Sequence, residues 1–206
     1  MNPLEIEVKF HLQDIGPIRE RIIRSGAESQ GRFFETNIRY EDAEGSLVRK
    51  KSLLRLRKDR KATLTFKSEP ALPDPDFKVH RELEVAVDDF ETTDGILLAL
   101  GFHRAQTYEK WRETFLSGRT IFCIDTLPFG AFLEIEGHRD DIRAAAQQIG
   151  LPWENRILSN YLALFDQLKK ACSLPFSDIT FDNFKTVTLD EKQVAGLMAA
   201  NRHLSV

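Results

Sequence analysis

Apolar and polar residues alternate with a period of two over eight stretches, at 4–10, 32–41, 53–58, 62–67, 79–87, 107–115, 120–125 and 131–137. Such alternation predicts strands with one face buried. Helical spacing predicts helices over 17–25, 90–100, 140–149 and 158–170, the first three followed by Gly26, Gly101 and Gly150 as stops. Turn-forming residues at 59–61, 117–119 and 128–130 predict antiparallel hairpins between sequence neighbours. The order of strand, helix and strands occurs twice, which predicts two similar halves. The segment 69–78, with Pro70, Pro73 and Pro75, reads as an exposed loop able to serve as a lid. From residue 174 a polar stretch leads to a helix near Asp190, with Thr188 or Asp190 as its cap. The chain therefore divides into a main unit, 1–172, and a C-terminal extension, 173–206.

The polar parity of these strands is unusual in kind. Residues i and i+2 share a face of a strand. In LEIEVKF this sets Glu5, Glu7 and Lys9 against Leu4, Ile6, Val8 and Phe10. Arg55 and Arg57 likewise oppose Leu54 and Leu56, and Thr63, Thr65 and Lys67 oppose Ala62, Leu64 and Phe66. His80, Glu82 and Glu84 share a side, as do Tyr108, Lys110 and Arg112, Cys123 and Asp125, and Glu134 and Glu136. A sheet with one wet face accounts for any one of these strands. It accounts less well for the set, because a wet face ordinarily mixes neutral polar residues among its charges. Closure into a barrel, with helices over the apolar face, turns the charged parity inward, where it needs partners or ligands. The expected fold is α+β, an eight-stranded antiparallel β-barrel with helices packed outside.

Composition narrows the partners. A chain of 206 residues with 42% hydrophobic residues can bury a full core. Its net charge of -3 argues against a nucleic-acid-coating surface, so anion binding must be local. Glu5, Glu7 and Lys9 stand where a signal peptide would be apolar, and no segment suits a membrane span; the expected location is cytoplasmic. Cys123 and Cys172 have no metal-site or disulfide spacing and read as reduced thiols, and the five histidines are given no chemistry.

Seven carboxylates (Glu5, Glu7, Glu82, Glu84, Asp125, Glu134, Glu136) and six bases (Lys9, Arg55, Arg57, Lys67, Lys110, Arg112) would then share one cavity. Such a lining suits a polyphosphate carrying hard cations. Mg²⁺ or Mn²⁺ takes oxygen ligands and bridges carboxylates to phosphate. Arginine forks and lysine point charges hold phosphate oxygens.

The ordered series ExExK (Glu5, Glu7, Lys9), LRLR (Arg55, Arg57), TFK (Lys67), RELE (Arg81, Glu82, Glu84), KWR (Lys110, Arg112), FCID (Asp125) and FLEIEG (Glu134, Glu136) resembles the CYTH superfamily, the triphosphate tunnel metalloenzymes. The likeness spans roughly residues 1–170. It implies an eight-stranded antiparallel tunnel and catalytic roles for Glu5, Glu7 and Lys9. It implies triphosphate binding by Lys9, Arg55, Arg57, Lys67, Arg81, Lys110 and Arg112. Arg81 has the parity opposite to Glu82 and Glu84 and would face inward only through a bulge. Metal binding is implied for Glu5, Glu7, Glu134 and Glu136, together with Asp125, Glu82 or Glu84. The segment SNYLALF, with Tyr161, resembles the family's late helix near the tunnel. Wording such as EIEVKF and FLEIEG is closest to the class IV adenylate cyclase branch, which converts ATP to cyclic AMP and pyrophosphate. The alternatives are an inorganic tripolyphosphatase or a nucleoside or thiamine triphosphatase, and, from another class, a non-catalytic polyphosphate-binding module. The expected partner is a small-molecule triphosphate with Mg²⁺ or Mn²⁺, not nucleic acid and not a membrane; a homodimer is compatible with all of this.

Overall fold

The structure is a computed structural model, described for residues 4–70 and 74–201. Eight strands form, one at each alternating stretch: β1 (Leu4–Leu12), β2 (Glu28–Glu41), β3 (Ser52–Lys58), β4 (Ala62–Ser68), β5 (Lys78–Val87), β6 (His103–Ser117), β7 (Thr120–Leu127) and β8 (Gly130–Glu136). They close into a ring in the order β1-β5-β4-β3-β2-β6-β7-β8, every neighbour antiparallel. Exchanging the first four strands for the last four reproduces the same ring read in the opposite sense. The two halves are thus related by topology, each with a helix after its first strand: α1 (Ile15–Arg24) and α3 (Phe90–Ala99).

Two strands outrun the alternation by four residues at their start. β2 starts at Glu28 and β6 at His103, because the two pair along their whole length through irregularities at Ser29/Gly31 and Arg39/Tyr40. A bulge shifts side-chain parity, so the extended stretch no longer reads as period two. Gly31 sits there at φ 96°, where an L side chain would be strained. A short helix, α2 (Ser46–Arg49), was not expected from spacing. Its free amides are met from outside: Leu47 N and Val48 N donate to the Glu41 carboxylate, both at 2.9 Å, and Ser46 N donates to Asp42 at 2.8 Å.

The apolar parity faces outward and helices cover much of it, while Leu4, Leu83 and Val85 stay exposed. Ile18 and Ile22 of α1 and Ile142, Ala146 and Ile149 in and after α4 (Arg139–Gln148) pack on Val8, Phe10, Phe122, Leu133 and Ile135. Leu97 of α3 packs on Ile38, Tyr40 and Leu56. The late helix, α5, runs Tyr161–Cys172 rather than 158–170, since Ile157 is still extended and exchanges backbone hydrogen bonds with Lys9, and Asn160 supplies the N-cap by accepting from Ala163 N at 2.8 Å. α5 does not lie on the outer wall. Its Leu164, Phe165 and Leu168 meet inward-parity residues Tyr108, Leu127 and Phe132, so this side of the barrel's end is filled by a second apolar core.

The C-terminal segment completes that core. Ile179 pairs with β6 beside Tyr108, a short α6 spans Phe181–Phe184, and α7 (Glu191–Ala200), capped by Asp190, brings Val194 and Met198 against α5. Met198 is 1% exposed. Truncating such a buried side chain costs about 2–5 kcal/mol, so Met198→Ala is expected to lower the urea midpoint with little change in slope. An unchanged midpoint would mean that α7 is not docked in solution.

The loop at 69–78 differs from a free lid. Residues 71–73, including Pro73, lie outside the described residues. Its second half is pinned: Arg139 binds Asp74 at 2.9 Å, Arg156 binds Asp76 at 2.6 Å, and Phe77 is buried against Trp153.

Candidate active site

The ring encloses a cavity of about 820 Å³. Of the residues singled out from sequence, Glu5, Glu7, Lys9, Arg55, Arg57, Lys67, Glu82, Glu84, Lys110, Arg112, Glu134 and Glu136 line it. Two do not. Arg81 is exposed on the outer surface, since β5 pairs with β1 and β4 in unbroken register and has no bulge to reverse its parity. Asp125 has inward parity but is 0% exposed, behind the basic side chains it holds.

Strand register explains the acidic corner. Glu7 of β1 lies opposite Glu136 of β8, with Glu5 two residues along on the same face. Carboxylate oxygens of Glu5, Glu7 and Glu136 come within 4.8 Å of one another. Their protonation is unequal. Burial raises the Glu7 carboxyl, but Lys78, Lys9 and Lys67 outweigh burial and Glu134, and hold it down at about 2. At Glu136, burial is joined by the charges of Glu7, Glu5 and Glu134; Arg112 opposes them but already pairs with Asp125 and Glu134, and the carboxyl is pushed up to about 8. Three carboxylates converging on one point, with one forced toward its neutral form by the others, fit a hard divalent cation by donor chemistry. Glu82 and Glu84 stand elsewhere on the wall, beside Lys67 and beside Arg55 and Arg57.

The basic side chains fall into two groups. Lys9 donates to Glu134 at 2.6 Å. Lys110 donates to Asp125 at 2.8 Å, and Arg112 binds Asp125 through Nε and Nη2 at 2.7 and 2.6 Å and also reaches Glu134. These three are closely held. Arg55 and Arg57 are held loosely, 3.9 and 3.7 Å from Glu84. The Nε atoms of Arg39, Arg55 and Arg57 are buried without an acceptor among the described residues. A buried donor without an acceptor carries a desolvation cost that a bound anion would relieve.

Several cavity residues escaped the sequence reading. Arg39 lines the cavity from β2, with Glu35 and Asn37 buried on the same parity next to Lys110, Tyr108 and Arg57; all three lie in the alternating stretch 32–41, so their i, i+2 spacing was legible. Lys78 belongs to the parity of His80 and Glu82; starting the strand at 79 left it out, yet it pairs with Glu7. His80, given no chemistry from sequence, lines the cavity, and burial together with Lys78 lowers its pKa to about 4, so it is neutral at pH 7. Tyr161, placed on a late helix near the tunnel by resemblance, does line the cavity from the start of α5.

Comparison with known proteins agrees with this architecture. A Vibrio parahaemolyticus protein provisionally named an adenylate cyclase superposes with a TM-score of 0.73 at 19% identity, covering 81% of this chain and 99% of its own. The PH1012 protein of Pyrococcus horikoshii superposes with a TM-score of 0.64 at 26% identity, covering 76% and 96%. A Hippeastrum protein provisionally named an adenylyl cyclase, whose dominant activity is triphosphatase, superposes with a TM-score of 0.57 at 17% identity, covering 79% and 95%. Comparison with curated proteins finds no match. The sequence profile of the CYTH domain matches residues 3–156, all eight strands and most of the cavity wall, and the chain belongs to the CYTH domain family.

Proposed function

We propose that the protein is a divalent-metal-dependent enzyme that breaks a phosphoanhydride bond of a triphosphate held in the barrel. The observation that carries this reading is the division of one cavity into an acidic corner, Glu5, Glu7 and Glu136, and a wall of arginines with unmet buried donors, Arg39, Arg55 and Arg57. Glu5, Glu7 and Glu136 would hold Mg²⁺ or Mn²⁺, which, when bound, supplies charge neutralisation at phosphate oxygens. The arginines and Lys67 bind the phosphate chain. Lys9, Lys110 and Arg112, already fixed by carboxylates, present positive charge where the transferring phosphoryl group gathers negative charge. Fixed donors need no reorganisation during the reaction, so catalysis is mainly positioning. Arg81 and Asp125 have no ligand contact in this reading.

Hydrolysis is the reaction the lining favours. Between the acidic corner and Arg55 and Arg57 the wall is ionisable or hydroxyl-bearing, with apolar residues such as Val48, Leu53 and Leu162 contributed by α2, the start of β3 and α5. A bare phosphate chain suits that interior. Water then bonds to the terminal phosphorus and releases a proton to solvent while the bridging oxygen leaves with the bonding pair, giving orthophosphate and the shortened phosphate chain. The adenylate cyclase reading rests on the EIEVKF and FLEIEG wording and on the provisional name of the Vibrio relative. It requires the ribose 3′-oxygen to reach the α-phosphorus.

Incubation of purified protein with ATP and with tripolyphosphate, each with Mg²⁺ or Mn²⁺, resolves these by ³¹P NMR. Orthophosphate from both substrates is the expected result. Pyrophosphate with equimolar cyclic AMP from ATP alone would establish the cyclase instead. Binding with no product from either would leave a polyphosphate-binding module.

A further inference from the structure

We infer that Tyr161 is a positioning residue that fixes the lysines of the cavity's basic wall from the start of α5, at the end of the barrel. The inference rests on the reading that the cavity binds a triphosphate. Tyr161 opens α5, beyond the matched family segment 3–156, and is 8% exposed. Its ring face lies 4.1 Å from Lys9 Nζ and 5.3 Å from Lys110 Nζ. Its hydroxyl donates to Asp125 Oδ2 at 2.9 Å, the oxygen that also accepts from Lys110 Nζ at 2.8 Å and Arg112 Nη2 at 2.6 Å. Three of the six bases read from the sequence thus meet one side chain or its hydrogen-bond partner.

A lysine ammonium is a compact charge on a flexible stem, and by itself it is poorly aimed. An aromatic face adds attraction without using up a hydrogen bond, so it narrows the freedom of Lys9 and Lys110 beyond what their partners Glu134 and Asp125 already impose. The ring is itself fixed: Phe132 packs edge-on at a centroid distance of 5.1 Å, and Asn160 caps the helix turn that carries it. Preorganised cations bind an anion with less ordering cost than mobile ones. Packing on the second apolar core sets where α5 stands, so the C-terminal part of the chain acts on the phosphate end of the cavity through Tyr161.

The test is a double-mutant cycle on metal-free binding of inorganic tripolyphosphate, read by calorimetry in the presence of chelator, with kcat and KM measured alongside in Mg²⁺. Tyr161→Leu is expected to weaken tripolyphosphate binding by about tenfold. Tyr161→Phe, which keeps the ring, should restore it to within about threefold of the unaltered protein. In a Lys9→Gln background the effect of Tyr161→Leu should shrink to the part carried by Lys110, because contacting residues couple; in a Lys67→Gln background, whose lysine pairs with Glu5 and Glu82, it should persist in full. Tyr161→Met, which fills the site without a ring face, carries the same comparison if the leucine variant does not fold. Equal effects in both backgrounds would overturn the inference, as would a lowered melting temperature with unchanged affinity. No binding of tripolyphosphate by the unaltered protein would overturn the reading of the cavity, and this inference with it.

Discussion

Glu136→Gln is expected to lower metal-dependent turnover by about 10²–10³-fold while leaving the metal-free fold as stable as before, or more stable, at neutral pH. The reason is the sign of its shift. Its carboxyl is raised from 4.5 to about 8 by burial and by Glu7, Glu5 and Glu134, so at pH 7 the folded protein holds a proton that the unfolded chain does not. A raised carboxyl contributes stability that is fully present below pH 4.5 and is lost as pH rises through about 8. At about 1.4 kcal/mol per unit the span amounts to several kcal/mol. Glutamine does not titrate, so the variant should flatten this part of the pH–stability curve.

Glu7→Gln should behave in the opposite way, although the two carboxylates face each other across β1 and β8. Glu7 is lowered to about 2 because Lys78 and its neighbours outweigh burial, so its stabilisation is present above pH 4.5 and is lost as pH falls toward 2. Removing it leaves Lys78 without its close partner, at a cost on the order of 3 kcal/mol. Cation binding at the corner would also displace the Glu136 proton, so metal affinity should climb with pH up to about 8. Urea unfolding in chelator from pH 4 to 9, beside turnover, separates the two variants. Loss of stability without loss of turnover in Glu136→Gln would make the acidic corner structural.

Asp125→Ala is expected to destabilise the metal-free protein by about 3–5 kcal/mol, the usual consequence of stripping the counter-ion from buried charges. Asp125 is 0% exposed and receives hydrogen bonds from Lys110, Arg112 and Tyr161. Both oxygens are occupied, so it has nothing to offer a cation in the cavity. The sequence-level assignment as a metal ligand makes a different forecast: weaker metal binding with a stable metal-free fold. Unfolding in chelator, together with metal titration, distinguishes them. A stable variant with impaired metal affinity would return Asp125 to the metal site.

Legibility from sequence follows the range of the interactions involved. Alternation is local, so the eight strands and the identity of the inward parity could be read from residues two apart, and twelve of the fourteen candidate positions do line the cavity. The two exceptions differ in kind. Arg81 had the wrong parity for the cavity, and local pattern was the sounder guide than resemblance. Asp125 had the right parity, but whether an inward carboxylate meets solvent or lies beneath a lysine and an arginine depends on side chains from β6 and α5, residues 15 and 36 positions away.

The chain's sequence by itself determined that the barrel has one charged and one apolar face, because a period of two assigns every residue of a strand to a side. Tertiary structure alone decided which charges would be spent on one another. Glu7 and Glu136 look equivalent in sequence, yet ring closure sets Lys78 beside the first, and no comparably close cation meets the second among the described residues. It also decided that α5 enters the end of the barrel, since helical periodicity marks an apolar face without naming the surface that will cover it. Electrostatic and packing partners are chosen by distance through space, and in a ring whose first strand pairs with its fifth and eighth, that distance is nearly independent of separation along the chain.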